Sequence, residues 1–134
     1  MSVSQQLREA PVGRDDYVQY LDTLLDGVIE LDDPEAVFAE AFAFFERNGA
    51  ADLGTPGPLV HFLERFYPDY VDQLCASVVR KPTTYTVWML NRLLNASVET
   101  ADRKRLLEVL EGASANTAAD KVVREQAIEF LRTQ

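Results

Sequence analysis

His61 is the only histidine in the chain and Cys75 the only cysteine, and these two residues bound the chemistry on offer. One imidazole cannot form a His–His metal pair, and one thiol cannot form an intramolecular disulfide or a cysteine cluster. His61 and Glu64 stand at i, i+3, the spacing that sets both side chains on one helix face, and Asp69 and Asp72 follow closely. A carboxylate that orients an imidazole is a general acid–base arrangement, so a small enzyme using His61 with these carboxylates is one reading. The di-iron bundle motif runs Glu-x-x-His and occurs twice; here the order is reversed and there is no second copy. Ser77, Ser97 and Ser114 lack the glycines of a nucleophile elbow. The stretch Gly49-Ala-Ala-Asp-Leu-Gly-Thr-Pro-Gly57 is not followed by Gly-Lys-Ser/Thr and follows no strand pattern, so it reads as an interhelical turn and not a phosphate loop. No catalytic set, cofactor site or metal site is therefore expected. His61 reads as a structural or interface residue, and Cys75, in an apolar helical context, as a buried inert thiol.

The charge is unevenly placed. Of the net −9, residues 1–75 carry 15 acidic side chains against 4 arginines, and residues 76–134 carry 7 against 9 basic ones. Phosphate neutralisation needs clustered Lys and Arg, so nucleic acid is not an expected partner. Asp22, Asp26 and Glu30 succeed one another at i, i+4, with Asp15 extending the row. Like charges at this spacing cost roughly 0.2–0.5 kcal/mol per pair. Two readings fit such a row: a face for a basic partner, and a merely solvated surface. Arg80-Lys81 suits a helix C-terminus, and with Arg103-Lys104-Arg105 forms the only basic clusters. No uncharged run approaches the ~18 residues of a membrane span, and no signal peptide is evident. A cytoplasmic protein without membrane contact is expected.

The positioning elements are helices. Residues 1–13 are expected to be a flexible lead-in, and 14–134 one all-α domain. The apolar period predicts a first helix over 14–31. Asp33 and Pro34 then open a second that reaches about Asn48, with Phe38, Phe42 and Phe45 inward. Two more follow over 58–67 and 69–80, with a corner at Tyr67-Pro68. Pro82 suits the first position of a central helix running to Asn95, whose Tyr85, Val87, Trp88, Met89, Leu90, Leu93 and Leu94 spread apolar surface around nearly its whole circumference. Such a helix is normally enclosed by others. A helix capped by Ser97 or Thr100 ends near Glu111, Gly112–Asn116 is a polar turn, and 117–132 is the last helix. About seven short helices in antiparallel pairs imply a short α-solenoid of HEAT-like form or an irregular bundle.

Three segments together carry a family resemblance: Gly54-Thr-Pro-Gly-Pro-Leu-Val-His-Phe-Leu-Glu64, Tyr67-Pro-Asp-Tyr70 and Arg80-Lys-Pro-Thr-Thr-Tyr-Thr-Val-Trp-Met-Leu-Asn-Arg-Leu-Leu-Asn95. They cover about the middle third of the chain. In them the sequence resembles small all-helical, HEAT-like immunity proteins of bacterial polymorphic toxin systems (contact-dependent inhibition, type VI secretion and Rhs-type effectors). The resemblance implies a non-enzymatic protein that binds one cognate toxin and blocks its active site in the producing cell. A basic, nuclease-like toxin domain would complement the acidic helices. On that reading the expected contacts are Asp15, Asp22, Asp26 and Glu30 on the first helix, then His61, Glu64, Asp69 and Asp72. Tyr67 and Tyr70 are candidate aromatic anchors, and Arg92 and the edge of Tyr85 are the candidates on the central helix. The alternative is a helical scaffold or adaptor that holds a protein or peptide in a solenoid groove.

Overall fold

The computed structural model describes residues 19, 23, 37–47, 58–96 and 100–134, and among these the regular structure is helical, α apart from a 3-10 residue at Val37, with no strand. Six helices follow in order: α1 (Phe38–Arg47), α2 (Pro58–Glu64), α3 (Val71–Arg80), α4 (Thr84–Asn95), α5 (Thr100–Ala115) and α6 (Lys121–Arg132). They match the second to seventh expected helices. Of the expected first helix only Gln19 and Thr23 are described, both helical and exposed; the expected lead-in and Asp15, Asp22, Asp26 and Glu30 lie outside the described residues.

The six helices lie in two layers, and named contacts fix their directions. Glu46 near the end of α1 meets Ser77 and Arg80 near the end of α3, and Arg105 near the start of α5 meets Asp72 near the start of α3. So α1, α3 and α5 run parallel in one layer. Glu64 ending α2 meets Arg92 near the end of α4. Gln134, just past α6, meets Asn91 and Asn95 at the end of α4. So α2, α4 and α6 form the other layer. Within pairs the sense reverses, since Arg103 at the start of α5 donates to Gln134 beyond the end of α6. The α3–α4 and α5–α6 pairs pack on each other, α1 packs on α3 and α4, and α2 is joined to α4 through Glu64 and Arg92, a layered array of the short α-solenoid kind.

The core lies between the layers, and α4 is its centre. It touches α1, α3, α5 and α6 and buries Tyr85, Thr86, Val87, Met89, Leu90, Leu93 and Leu94. Full burial of a large aliphatic side chain is worth about 1.5–3 kcal/mol, which a helix this short needs, since isolated helices under ~12 residues are marginal. Trp88, expected in this spine, lies at its margin with the Arg92 guanidinium 4.7 Å above its ring. Tyr85, expected to offer an exposed edge, is instead buried and stacked on Phe45, centroids 5.6 Å apart and planes 15° from parallel. All four phenylalanines of α1 are buried, Phe44 included.

Three expected boundaries move. Thr83, not Pro82, starts α4: its side chain accepts from the Thr86 amide while Thr86 Oγ1 accepts from the Thr83 amide, a reciprocal capping box. Pro82 sits just outside. Residues 65–70 are turns and not helix, held by Phe66 and Leu63 carbonyls, and the Tyr67–Pro68 peptide bond is cis. Gly112 lies inside α5, which continues to Ala115 because Ala113 is buried in the core. A mid-helix glycine costs about 1 kcal/mol against alanine, and that cost is outweighed here.

The first layer is tied by an ion pair. Arg80 Nε and Nη2 donate to the two carboxylate oxygens of Glu46 at 2.8 and 2.6 Å, and Ser77 Oγ donates at 2.9 Å. Such two-point pairs are the strong ones. The Arg80 hydrogen bonds lead in holding the Glu46 carboxyl below its usual 4.5, outweighing partial burial, which acts the other way.

Two outcomes test this frame. Thr83→Ala, at a fully buried cap, is expected to lower urea-unfolding stability by about 1–2 kcal/mol, with Thr83→Ser milder. Because folding lowers the Glu46 pKa, the pair stabilises fully above pH 4.5 and is lost as pH falls through the lower folded value. Glu46→Gln is therefore expected to be less stable at pH 7, and to lose less between pH 5 and the acid limit, in melts followed by circular dichroism.

Candidate protein-binding edge

The two-layer arrangement gathers the starts of α3 and α5 and the ends of α2 and α4 along one edge of the solenoid. The 65–70 turn crosses this edge, because chain leaving α2 must reverse into α3. Most of the described candidates from the sequence collect here. Tyr67, 54% exposed, stands at the crest of the turn. On one side lies a groove of about 520 Å³ lined by Glu64, Tyr67, Tyr70, Arg92, Leu93 and Asn95. On the other lies a smaller pocket of about 250 Å³ that shares Tyr67 and is walled by Val71, Asp72, Asp102, Arg105 and Leu106.

The groove is pre-organised by charge pairing. Arg92 Nε donates to Glu64 Oε2 at 2.7 Å, and the same guanidinium lies over Trp88. Both partners are held in one geometry, so Arg92 is the neighbour of an acid and not a free cation. His61 Nδ1 is 3.9 Å from Glu64 Oε1, beyond hydrogen-bond distance, and the imidazole is exposed. Asp72 accepts from Arg105 Nη1 at 2.8 Å with its carboxylate open to solvent. Asp69 is exposed within the turn, its amide bound to the Phe66 carbonyl. Exposed pairs of this kind add at most about 1 kcal/mol to stability; they fix side chains in place more than they hold the fold.

Tyr70 departs from the expectation of an aromatic anchor. It is only 2% exposed and forms part of the floor, with the Tyr67 ring set edge-on to it at 6.3 Å. Burial, and after it the nearby Glu64 charge, pushes its hydroxyl from the usual 10.0 up to about 12. The sequence pairs the two tyrosines by type and spacing; the turn separates them, one to the floor and one to the crest. Asp102 and Arg105, which complete the second pocket, were absent from the expected contacts. Their signal was the short helical repeat from Thr100, which places residues 102 and 105 on one face, but only the packing of α5 on α3 brings that face to the edge.

Chemically, the edge offers an exposed aromatic ring, fixed ion pairs and free carboxylates. Among the described residues no group of three His, Cys, Asp or Glu side chains is placed to hold a metal ion, and no helix is long and apolar enough to cross a membrane. Cys75 is buried, and burial raises its thiol pKa. Comparison with protein-family models, curated proteins and solved structures gives no match.

The Tyr70 shift gives an alkaline test. Folding holds this phenol protonated, so its contribution is complete below about pH 10 and is lost as pH rises through about 12. Tyr70→Phe is expected to leave the neutral-pH melting temperature nearly unchanged and to flatten its fall above pH 10. An equally steep alkaline fall in the variant would assign that fall to other groups.

Proposed function

We propose that this chain is an immunity protein: it binds one cognate bacterial toxin in the cytoplasm of the producing cell and neutralises it without turnover. The observation that carries this reading is the crest of Tyr67 between two grooves, in the middle of the segments that resemble such proteins. Interface hot spots favour a large ring that packs in a pocket beside charges desolvated on binding, and the Glu64–Arg92 and Asp72–Arg105 pairs, solvent-accessible in the free protein, place charges beside Tyr67. Ordering side chains on binding costs about 0.5–1.5 kcal/mol each, so an edge that is fixed beforehand keeps more of its contact energy. The acidic half of the chain adds attraction for a basic partner, which raises association rate more than final affinity. The row Asp15, Asp22, Asp26 and Glu30 supports the same reading from sequence alone.

A helical adaptor is the second reading. It is favoured by a separate trough of about 410 Å³ between α3 and α5, lined by Val78, Val79, Val109 and Gly112, in which Val79 is 69% exposed. A peptide-binding adaptor would use that trough and leave the Tyr67 edge idle.

Co-expression with the toxin encoded beside this gene separates the readings. The intact protein is expected to rescue growth and to form an equimolar complex. Tyr67→Ala is expected to weaken that complex by about 2 kcal/mol, roughly thirtyfold, while His61→Ala protects fully. Cells that die equally with and without the protein would dispose of the immunity reading. Full protection by Tyr67→Ala would move the interface elsewhere, and loss of protection in His61→Ala would reopen catalysis.

A further inference from the structure

The smaller pocket beside Tyr67 has a composition that the larger groove lacks. Its walls are apolar or aromatic (Tyr67, Val71, Leu93 and Leu106), and its charged groups are Asp72, Asp102 and Arg105. Arg105 is already engaged by Asp72 at 2.8 Å. Asp102 has no hydrogen bond or ion pair among the described residues; the Arg105 charge acts on it at longer range but is bound to Asp72, so the pocket lining carries a net charge of one negative. Its place in the first turn of α5 accounts for a stable carboxylate there, but not for the cavity that it faces. At about 250 Å³ the space falls below the roughly 300–1,000 Å³ of ordinary small-molecule sites. A single long side chain suits it better.

We infer that this pocket receives one arginine side chain of the partner protein, its stem along Val71 and Leu106, its guanidinium against the Tyr67 ring and bound by Asp102. The chemistry of each wall selects this occupant. An aliphatic stem covers apolar surface while its charged head stays hydrated. A planar guanidinium stacks on an aromatic ring and presents a fork to a carboxylate, which an ammonium does not. Tyr67 is held for this contact by its edge-on packing on buried Tyr70. Arg105 sets the affinity: while it holds Asp72, the pocket has one free acid, and without it there are two. The inference rests on the proposed function only for the source of the arginine.

The test uses the full chain, ¹⁵N-labelled, titrated with N-acetyl-arginine N-methylamide and with the matching lysine and norleucine compounds. The arginine probe is expected to give saturable amide shifts at Val71, Asp102 and Leu106, with both other probes several-fold weaker. Asp102→Asn is expected to weaken the arginine probe about tenfold, the order of one charge-assisted hydrogen bond. Arg105→Gln, which frees Asp72, is expected to tighten it. Both sites are exposed, and the same spectra report whether the variants are folded. No saturable shift, equal binding of norleucine or lysine, or indifference to Asp102→Asn each overturns the assignment. Arginine binding without protection against the toxin would sink the immunity reading alone; protection without arginine binding would sink only this pocket's role.

Discussion

A twelve-residue helix with seven buried side chains cannot stand at a surface, and the enclosure of α4 is the constraint from which the described fold follows. Four helices meet it. Three of them, α1, α3 and α5, belong to the opposite layer, and α6 lies beside it in its own. Thr83 and Thr86 are fully buried at its start, where an unsatisfied amide would cost about 1–3 kcal/mol, and the capping box removes that cost. At its other end Asn91 and Asn95 both accept from the Gln134 amide. The helix is closed at both ends as well as around its girth.

The edge depends on this enclosure. Leu93 of α4 is shared by both depressions beside Tyr67, and Arg92 projects from the same turn onto Trp88 and Glu64. The buried floor and the charged wall of the groove are thus one residue apart in sequence. Fixing the helix fixes the position of the guanidinium, and the guanidinium in turn orders Glu64 across the groove.

Helix type and order were legible because apolar spacing is a strong signal: the six described helices fall where Phe38–Phe45, Leu59–Leu63, Leu74–Val78 and their successors repeat. Boundaries were less so. Pro82 drew the start of α4 toward itself, although the Thr83-x-x-Thr86 pair was the controlling cap, because threonine at the third position is a less familiar partner than Glu or Gln. Gly112 signalled a stop that buried Ala113 overrides. The candidate edge was half visible. His61, Glu64, Tyr67, Asp69, Tyr70 and Asp72 lie close in sequence, so local chemistry could group them, whereas Asp102 and Arg105 join only through helix packing some thirty residues away. Tyr70 could not be told from Tyr67 by type; only burial separates floor from crest.

The cross-edge residues Tyr67, Asp72, Asp102 and Arg105 are all exposed and come from the turn and from the first two turns of two helices, while the buried side chains that hold those helices, Leu74, Leu106 and Leu110 among them, are separate residues. Substitutions at exposed positions away from caps and buried networks usually change stability by less than about 0.5 kcal/mol. The exposed edge can therefore drift almost freely without drawing on the reserve that keeps the helices packed. A lineage built on this plan would be expected to hold its interior nearly constant while its edge diverges.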